Sequence, residues 1–343
     1  MSKVTHISSR KTDHIRINLE EDVRSGRTTG LELLHFQHCA LPELDLEDVD
    51  LSLSLFDKSL KAPLLISSMT GGTLEAQEVN RVLAVAAQET GIAMGLGSQR
   101  AAIENPELAV TFQVRDLAPD VLLFSNLGVV QLNYGFGLEE CKRAVDMVQS
   151  DALILHFNAL QEAVQGGGDT RWSGLLNKVE TICHGLTVPV VAKEVGWGFS
   201  ESDVRNLINA GISAIDVAGA GGTSWTQVEM HRATDDSQRR LAAAFSDWGI
   251  PTAQAILNVR RVSPDIISFA SGGLRTGVDI CKCIALGARL GGLAGPFLKA
   301  AVRSIEETIQ TISELKREMQ VCMFAAGVGD LDSLSRLSLL RAD

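Results

Sequence analysis

The sequence predicts an α/β protein, a closed (β/α)8 (TIM) barrel preceded by an N-terminal extension. Three observations predict it. From Pro63 onward, short apolar runs of β type alternate with longer stretches of helical periodicity, the pattern of βα units around a parallel sheet. The alternation yields eight strand candidates over about 230 residues, the span of one closed barrel. Each candidate ends in polar or glycine-bearing sequence, as expected where loops gather into a site at the C-terminal face of a barrel. A doubly wound open sheet is the competing architecture, and it would concentrate such motifs at a single switch point.

In chain order the expected strands are Leu64–Ser67, Ile92–Gly95, Val121–Ser125, Ala152–His156, Val188–Lys193, Ala214–Val217, Ile266–Ala270 and Arg289–Leu293. Between them, helical periodicity covers Glu75–Thr90, Pro106–Leu117, Leu138–Gln149, Trp172–His184, Glu201–Ala210 and Gly277–Gly287. Phe297–Met319 reads as one terminal helix, with Glu306-Glu307 early and Lys316-Arg317 late, in keeping with the helix dipole. Residues 1–62 do not fit the repeat and form the expected extension, reaching over the barrel mouth or capping its base; residues 63–343 form the barrel. The acidic run Glu43, Asp45, Glu47, Asp48 and Asp50 reads as solvated surface. Thr223–Asp236, long and polar, is expected to be lid-like, and Ala163–Thr170 is a second mobile candidate.

Composition narrows the partners. With 343 residues, 45% of them hydrophobic and 21% charged, the chain can bury a sizeable core. A net charge of −11 argues against binding nucleic acid or an anionic membrane, while leaving room for a local basic pocket. No apolar stretch reaches the ~18–20 residues that span a bilayer. Met1–Ile17 is polar, unlike a secretory segment. The six cysteines are scattered, and Cys281 and Cys283 do not have metal or redox spacing. Reduced thiols in a cytoplasmic protein are expected.

Six glycine-bearing motifs close the strands: Ser67-Ser68-Met69-Thr70-Gly71-Gly72, Gly97-Ser98-Gln99-Arg100, Asn126-Leu127-Gly128, Ala218-Gly219-Ala220-Gly221-Gly222-Thr223, Ser271-Gly272-Gly273-Leu274-Arg275 and Gly292-Leu293-Ala294-Gly295. Glycine lets backbone approach a ligand closely and leaves N–H groups for phosphate oxygens. The loops after strands seven and eight lie where barrels commonly hold a phosphate, and Thr223 adds a hydroxyl from the loop before them. Lys193 ends strand five inside apolar sequence, which is costly unless it meets a negative charge. Glu194 cannot supply that charge, because adjacent strand residues point to opposite faces. The lysine is therefore expected to face the site, where it could pair with an anionic flavin, form a Schiff base or bind phosphate.

The segment His156-Phe157-Asn158-Ala159-Leu160-Gln161-Glu162 closes strand four with four hydrogen-bonding groups in seven residues, which points to substrate contact. Glu162 could supply one carboxylate to Mg²⁺, whose other ligands are commonly water and substrate phosphate. Arg100, with Arg10, Lys11 and His14, could clamp a diphosphate. The G-x-S-x-G, Walker A and H-E-x-x-H motifs do not occur in the sequence. Trp197, Trp225 and Trp248 read as packing groups.

Taken together these residues resemble the type 2 isopentenyl-diphosphate isomerases, flavin-dependent barrel enzymes of isoprenoid biosynthesis. The resemblance runs from Arg10-Lys11-Thr12-Asp13-His14-Ile15 to Gly292-Leu293-Ala294-Gly295-Pro296-Phe297, nearly the whole chain. Hydroxy-acid oxidases, related flavin barrels and the competing reading, share the late phosphate loops but not the Arg-Lys-x-x-His opening. The resemblance implies FMN held by Ser68, Met69, Thr70, Ser98, Asn126, Lys193, Thr223, Gly272, Gly273, Leu274, Arg275, Ala294 and Gly295. It implies a diphosphate substrate at Arg10, Lys11, His14, Ser98, Gln99, Arg100, His156, Asn158 and Gln161, with Glu162 on Mg²⁺. Gln161, Lys193 and His156 are the implied catalytic set, NADPH the initial reductant of the flavin, and a tetramer or octamer the implied assembly. Ala218 departs from members that offer a hydroxyl there, which removes one expected flavin contact.

Overall fold

A computed structural model describes residues 13–341. Eight parallel strands close the barrel: β1 (Leu64–Ile66), β2 (Ala93–Gly95), β3 (Leu123–Gly128), β4 (Ala152–Phe157), β5 (Val190–Glu194), β6 (Ala214–Asp216), β7 (Ile267–Ser271) and β8 (Leu290–Leu293), with β8 pairing back onto β1. The strand expectations hold for all eight, with ends shifted by one to three residues.

Alternation along each strand sorts the side chains. Leu65, Ala93, Phe124, Ile154, Val191, Ala214, Phe269 and Leu290 fill the barrel interior. Their neighbours Leu64, Ile66, Leu153, Leu155, Val190, Ala192, Ile215 and Ala270 face outward, into the core beneath the helices. The base of the barrel is plugged by a hairpin, Leu53–Leu55 with Lys58–Leu60, whose turn residues Phe56 and Asp57 hold φ of 46° and 60°. Leu55 and Leu60 join the interior cluster, and the Phe56 ring meets Phe124 edge-on at 6.4 Å.

The extension thus serves both ends. Its first described part, a helix over 13–20, lies at the mouth, and the chain after it laces across the loop following β6 through Ser224 N–H to the Val23 carbonyl at 2.8 Å and Ser25 N–H to the Gly222 carbonyl at 2.8 Å. Its later part forms the basal plug.

Three local expectations are corrected. The polar stretch after β6 contains helix Trp225–Arg232 and the start of Asp236–Ala243, whose first turn Asp235 caps by accepting from the Gln238 N–H at 2.9 Å. The terminal helix is two, Gly295–Ala301 and Ile305–Ala325, because Ser304 turns extended and caps the second by accepting from the Glu307 N–H at 3.1 Å. Pro106–Leu117 is two 3-10 turns, Pro106–Thr111 and Arg115–Leu117. The helix Thr252–Val262 carried no expectation; it starts after Pro251.

Candidate active site

Two residues above the filled interior layer, the same alternation places one further residue per strand at the C-terminal mouth. These are Ser67, Gly95, Asn126, His156, Lys193, Asp216, Ser271 and Gly292. The layer is polar on one side, and on the other Ser67 stands between two glycines, Gly292 and Gly95. A Cβ at Gly95 would lie 2.6 Å from Ser68 Oγ, and one at Gly292 would lie 2.6 Å from Ser67 Oγ. Both hydroxyls are buried with no hydrogen-bond partner, an arrangement that costs free energy until a ligand supplies one.

Opposite them, Lys193 meets its charge partner. Its Nζ lies 2.7 Å from Asp216 Oδ2 and 3.2 Å from Ser271 Oγ, and Ser271 Oγ donates to Asp216 Oδ1 at 2.6 Å. Cross-strand register sets Lys193 directly beside Asp216. The outward-pointing Glu194 takes another role. Its Oε2 accepts from the N–H groups of Val195, Gly196, Trp197 and Gly198, ordering the loop after β5.

Burial pushes the Glu194 carboxyl up to about 7, against those four amides, which favour the anion. Its folded pKa stands above the ordinary 4.5, so its contribution to stability is full below about 4.5 and is lost as the pH climbs through 7. We expect unfolding free energy to fall by about 2–3 kcal/mol across that window and the Glu194→Gln protein to lose this slope, as urea titrations at pH 4.5 and 8 would measure.

A second network starts in the layer and runs above it. His156 Nδ1 lies 2.8 Å from Asn126 Oδ1, which fixes the ring. Asn158 Nδ2 donates to Gln161 Oε1 at 3.2 Å and to Glu162 Oε1 at 3.0 Å, while Gln161 Nε2 donates to Glu229 Oε1 at 3.1 Å. His14 Nε2 reaches the same Glu229 oxygen at 3.1 Å, Arg232 holds the other, and the Trp225 ring stands edge-on to His14 at 5.0 Å. Burial raises the Glu229 carboxyl, but His14, Arg232 and Gln161 outweigh it and leave it below its ordinary value.

Glu162 Oε2 accepts from the Gln165 amide and from the Asp169 N–H, and Asp169 in turn pairs with Arg100 at 2.6 Å. The turn over Ala163–Thr170 is therefore tied down at Asp169, which also accepts from Gln131 at 3.0 Å. Glu162 Oε1 carries a single donor, and the buried Asn158 Oδ1 beside it has no partner, so two hard oxygen acceptors remain for a cation. Among the described residues no group of three or more His, Cys, Asp or Glu forms a metal cluster.

The other expected residues divide. Arg10 and Lys11 lie outside the described residues. Gln99, expected at substrate, is instead fully buried: it donates to the Ala144 carbonyl at 2.9 Å and accepts from the Asn126 N–H at 2.9 Å, stapling the loop after β2 to β3. Arg100, expected as an open clamp, is bridged by Glu104 and Asp169. Thr223 Oγ1 donates to Asn18 Oδ1 at 3.4 Å. Met69, Thr70 and Ser98 stay at the mouth, partly or fully buried, while Arg275, Ala294 and Gly295 are exposed there.

Gly272 and Gly273 have φ of 99° and 79° and pack backbone to backbone on the loop after β6, with Leu274 buried beneath. They interlock two loops besides offering N–H groups. Asp216, Glu229 and Asp169 were not foreseen, and Ser67 and Ser271, which open two of the glycine motifs, carried no role of their own. Asp216 carried a usable signal, an acid inside the buried run Ala214-Ile215-Asp216-Val217, whereas Glu229 sat in sequence read as a loop.

Comparison with known proteins agrees with this geometry. Residues 144–341 match the family of FMN-dependent dehydrogenases. The isopentenyl-diphosphate delta-isomerase of a Synechocystis species is 55% identical over 331 residues, covering 96% of this chain and 95% of that protein. That of Stutzerimonas stutzeri is 50% identical, covering 99% of each. Among solved structures, a mandelate oxidase with (S)-2-phenylpropionate superposes with a TM-score of 0.65 at 18% identity over 99% of this chain and 98% of that one. A Pediococcus acidilactici lactate oxidase gives 0.66 at 16%, over 99% and 94%. The oxidases show the shared barrel alone, whereas the isomerases match at 47–55% identity over nearly the whole chain. The chain belongs to the type 2 isopentenyl-diphosphate delta-isomerases, on an FMN-dependent dehydrogenase barrel.

Proposed function

We propose that this chain interconverts isopentenyl and dimethylallyl diphosphate with reduced FMN and Mg²⁺, in the cytoplasm and as a homo-oligomer. The observation that carries the reading is the make-up of the mouth: the orphaned Ser67 and Ser68 hydroxyls lie across it from a paired lysine, and the Asn158–Gln161–Glu229–His14 chain runs above. Ser68, Lys193 and the late glycine loops would hold FMN, which when bound supplies an electron-rich ring able to stabilise positive charge and take part in proton transfer.

The reaction adds one proton at the terminal methylene carbon and removes one from C2, with no net redox change, so NADPH is needed only to reduce the flavin. An alkene is a very poor base, and positioning must do much of the work. The chain supplies it through linked contacts. Asn126 holds His156, Asn158 aligns Gln161, and Gln161 meets Glu229, whose carboxylate His14 and Arg232 keep available to accept a proton. The Gln161 amide is too weak an acid to protonate the alkene, so it orients or relays.

Diphosphate would take Arg100 from Asp169, and Mg²⁺ would sit on Glu162 and Asn158 oxygens. Binding energy gathered there, away from the reacting carbons, is available to the transition state.

The test is anaerobic incubation of the purified protein with FMN, NADPH, Mg²⁺ and isopentenyl diphosphate. Isomer formation that requires flavin reduction is the expected result. Equal rates with oxidised flavin or none would sink the reading, and bleaching of the flavin by a 2-hydroxy acid would favour an oxidase.

A further inference from the structure

Lys193 is not a lone cation at the mouth. Its ammonium is held by a carboxylate with no solvent exposure, and Ser271 bridges both partners, so β5, β6 and β7 each contribute one member of a closed triad. A lysine fixed in this way has one orientation, and the charge it projects is largely cancelled by Asp216 close behind it. A barrel that needed only a positive charge beside a flavin would be better served by lysine with a neutral partner.

We infer that Asp216 is a positioning residue that aims the Lys193 ammonium and limits how much of its charge reaches a bound flavin, the Ser271 hydroxyl fixing the carboxylate. The inference rests on the flavin reading above and assigns to Asp216 a role through Lys193 rather than contact with substrate. Its physical content is a charge balance. With Asp216 in place the triad is close to neutral. Without it, the lysine charge acts unopposed on any anion at the mouth. Burying the pair costs desolvation, and interior ion pairs of this kind are often replaceable by apolar residues without loss of stability, so stability alone does not explain it.

The experiment uses FMN-loaded protein and sulfite, an anion that adds to oxidised flavin more tightly as the positive field around the ring grows. Asp216→Asn, close in shape but uncharged, is expected to bind sulfite about tenfold more tightly than the parent and to shift the flavin potential upward, the effect of one charge left unopposed in a partly solvated site. Ser271→Ala keeps the pair but frees the carboxylate to move, and is expected to shift both in the same direction by a smaller factor.

If Asp216→Asn retains flavin and binds sulfite as the parent does, within twofold, Asp216 is merely structural and the inference falls. If that variant does not hold flavin, Ser271→Ala decides: a shift in the stated direction sustains the inference and an unchanged affinity overturns it. A parent protein that stays colourless after reconstitution removes the flavin reading itself, and this inference with it, which separates the two failures.

Discussion

Replacing Lys193 by Met is expected to destabilise the flavin-free barrel by about 3–5 kcal/mol, a large share of the ~5–15 kcal/mol that holds a typical domain together. The cause is what the substitution leaves behind. Asp216 is 0% exposed, and without the ammonium its carboxylate keeps Ser271 and one long contact from the Ala218 N–H at 3.4 Å. A charge buried with so little compensation is far costlier than the pair it came from. The double variant Lys193→Met/Asp216→Asn removes both charges and should recover most of the loss while remaining inactive. Urea unfolding of parent, single and double variants, all without flavin, measures this. A single variant as stable as the parent would mean that Asp216 is not isolated from water as the geometry requires.

That pair also shows how far the sequence could be read. A lysine at the end of an apolar strand is anomalous on its face, and the need for an opposite charge follows from burial alone. Which acid answers it is a question of register between β5 and β6, and register is set by the closure of the whole barrel rather than by either strand. The strands themselves were legible because short apolar runs, buried on both faces, and polar loop ends recur eight times. The helices after β6 were not, since Trp225–Arg232 is short and mixes polar with apolar residues, and its stability comes from packing Val228 and Trp225 against Ile17 and Val23 of the extension.

Side chains were legible where strand parity fixes direction, as for His156 and Lys193. They were less so where a loop bends. Gln99 stood between two expected ligands, yet its turn sends it into the core. Arg100 was foreseen as a cation, but its partner Asp169 arrives from a turn 69 residues away.

The glycine loops make the last distinction testable, because two glycines that read alike in sequence should behave in opposite ways. At Gly272, φ is 99°, and a Cβ would overlap the Gly219 carbonyl oxygen; Gly219 cannot yield, since its own Cβ position already lies 2.5 Å from Thr252 Cα. Gly272→Ala therefore meets backbone strain and a rigid backbone clash together, and is expected to cost about 4 kcal/mol or more, with flavin lost because the fold around it is lost. Gly295 is exposed at the mouth, opens helix Gly295–Ala301, and has no atom within 4 Å of a would-be Cβ. Gly295→Ala should leave the flavin-free melting transition within about 0.5 kcal/mol of the parent. Its methyl group would instead enter the space assigned to the FMN phosphate, where one blocked charge-assisted hydrogen bond, about 1.5–3 kcal/mol, weakens binding roughly ten- to a hundredfold. Thermal melts paired with flavin titrations of the two variants separate the roles. Unchanged FMN affinity in Gly295→Ala would move the phosphate away from the loop after β8, and a stable Gly272→Ala protein would show that the loops after β6 and β7 are not locked together.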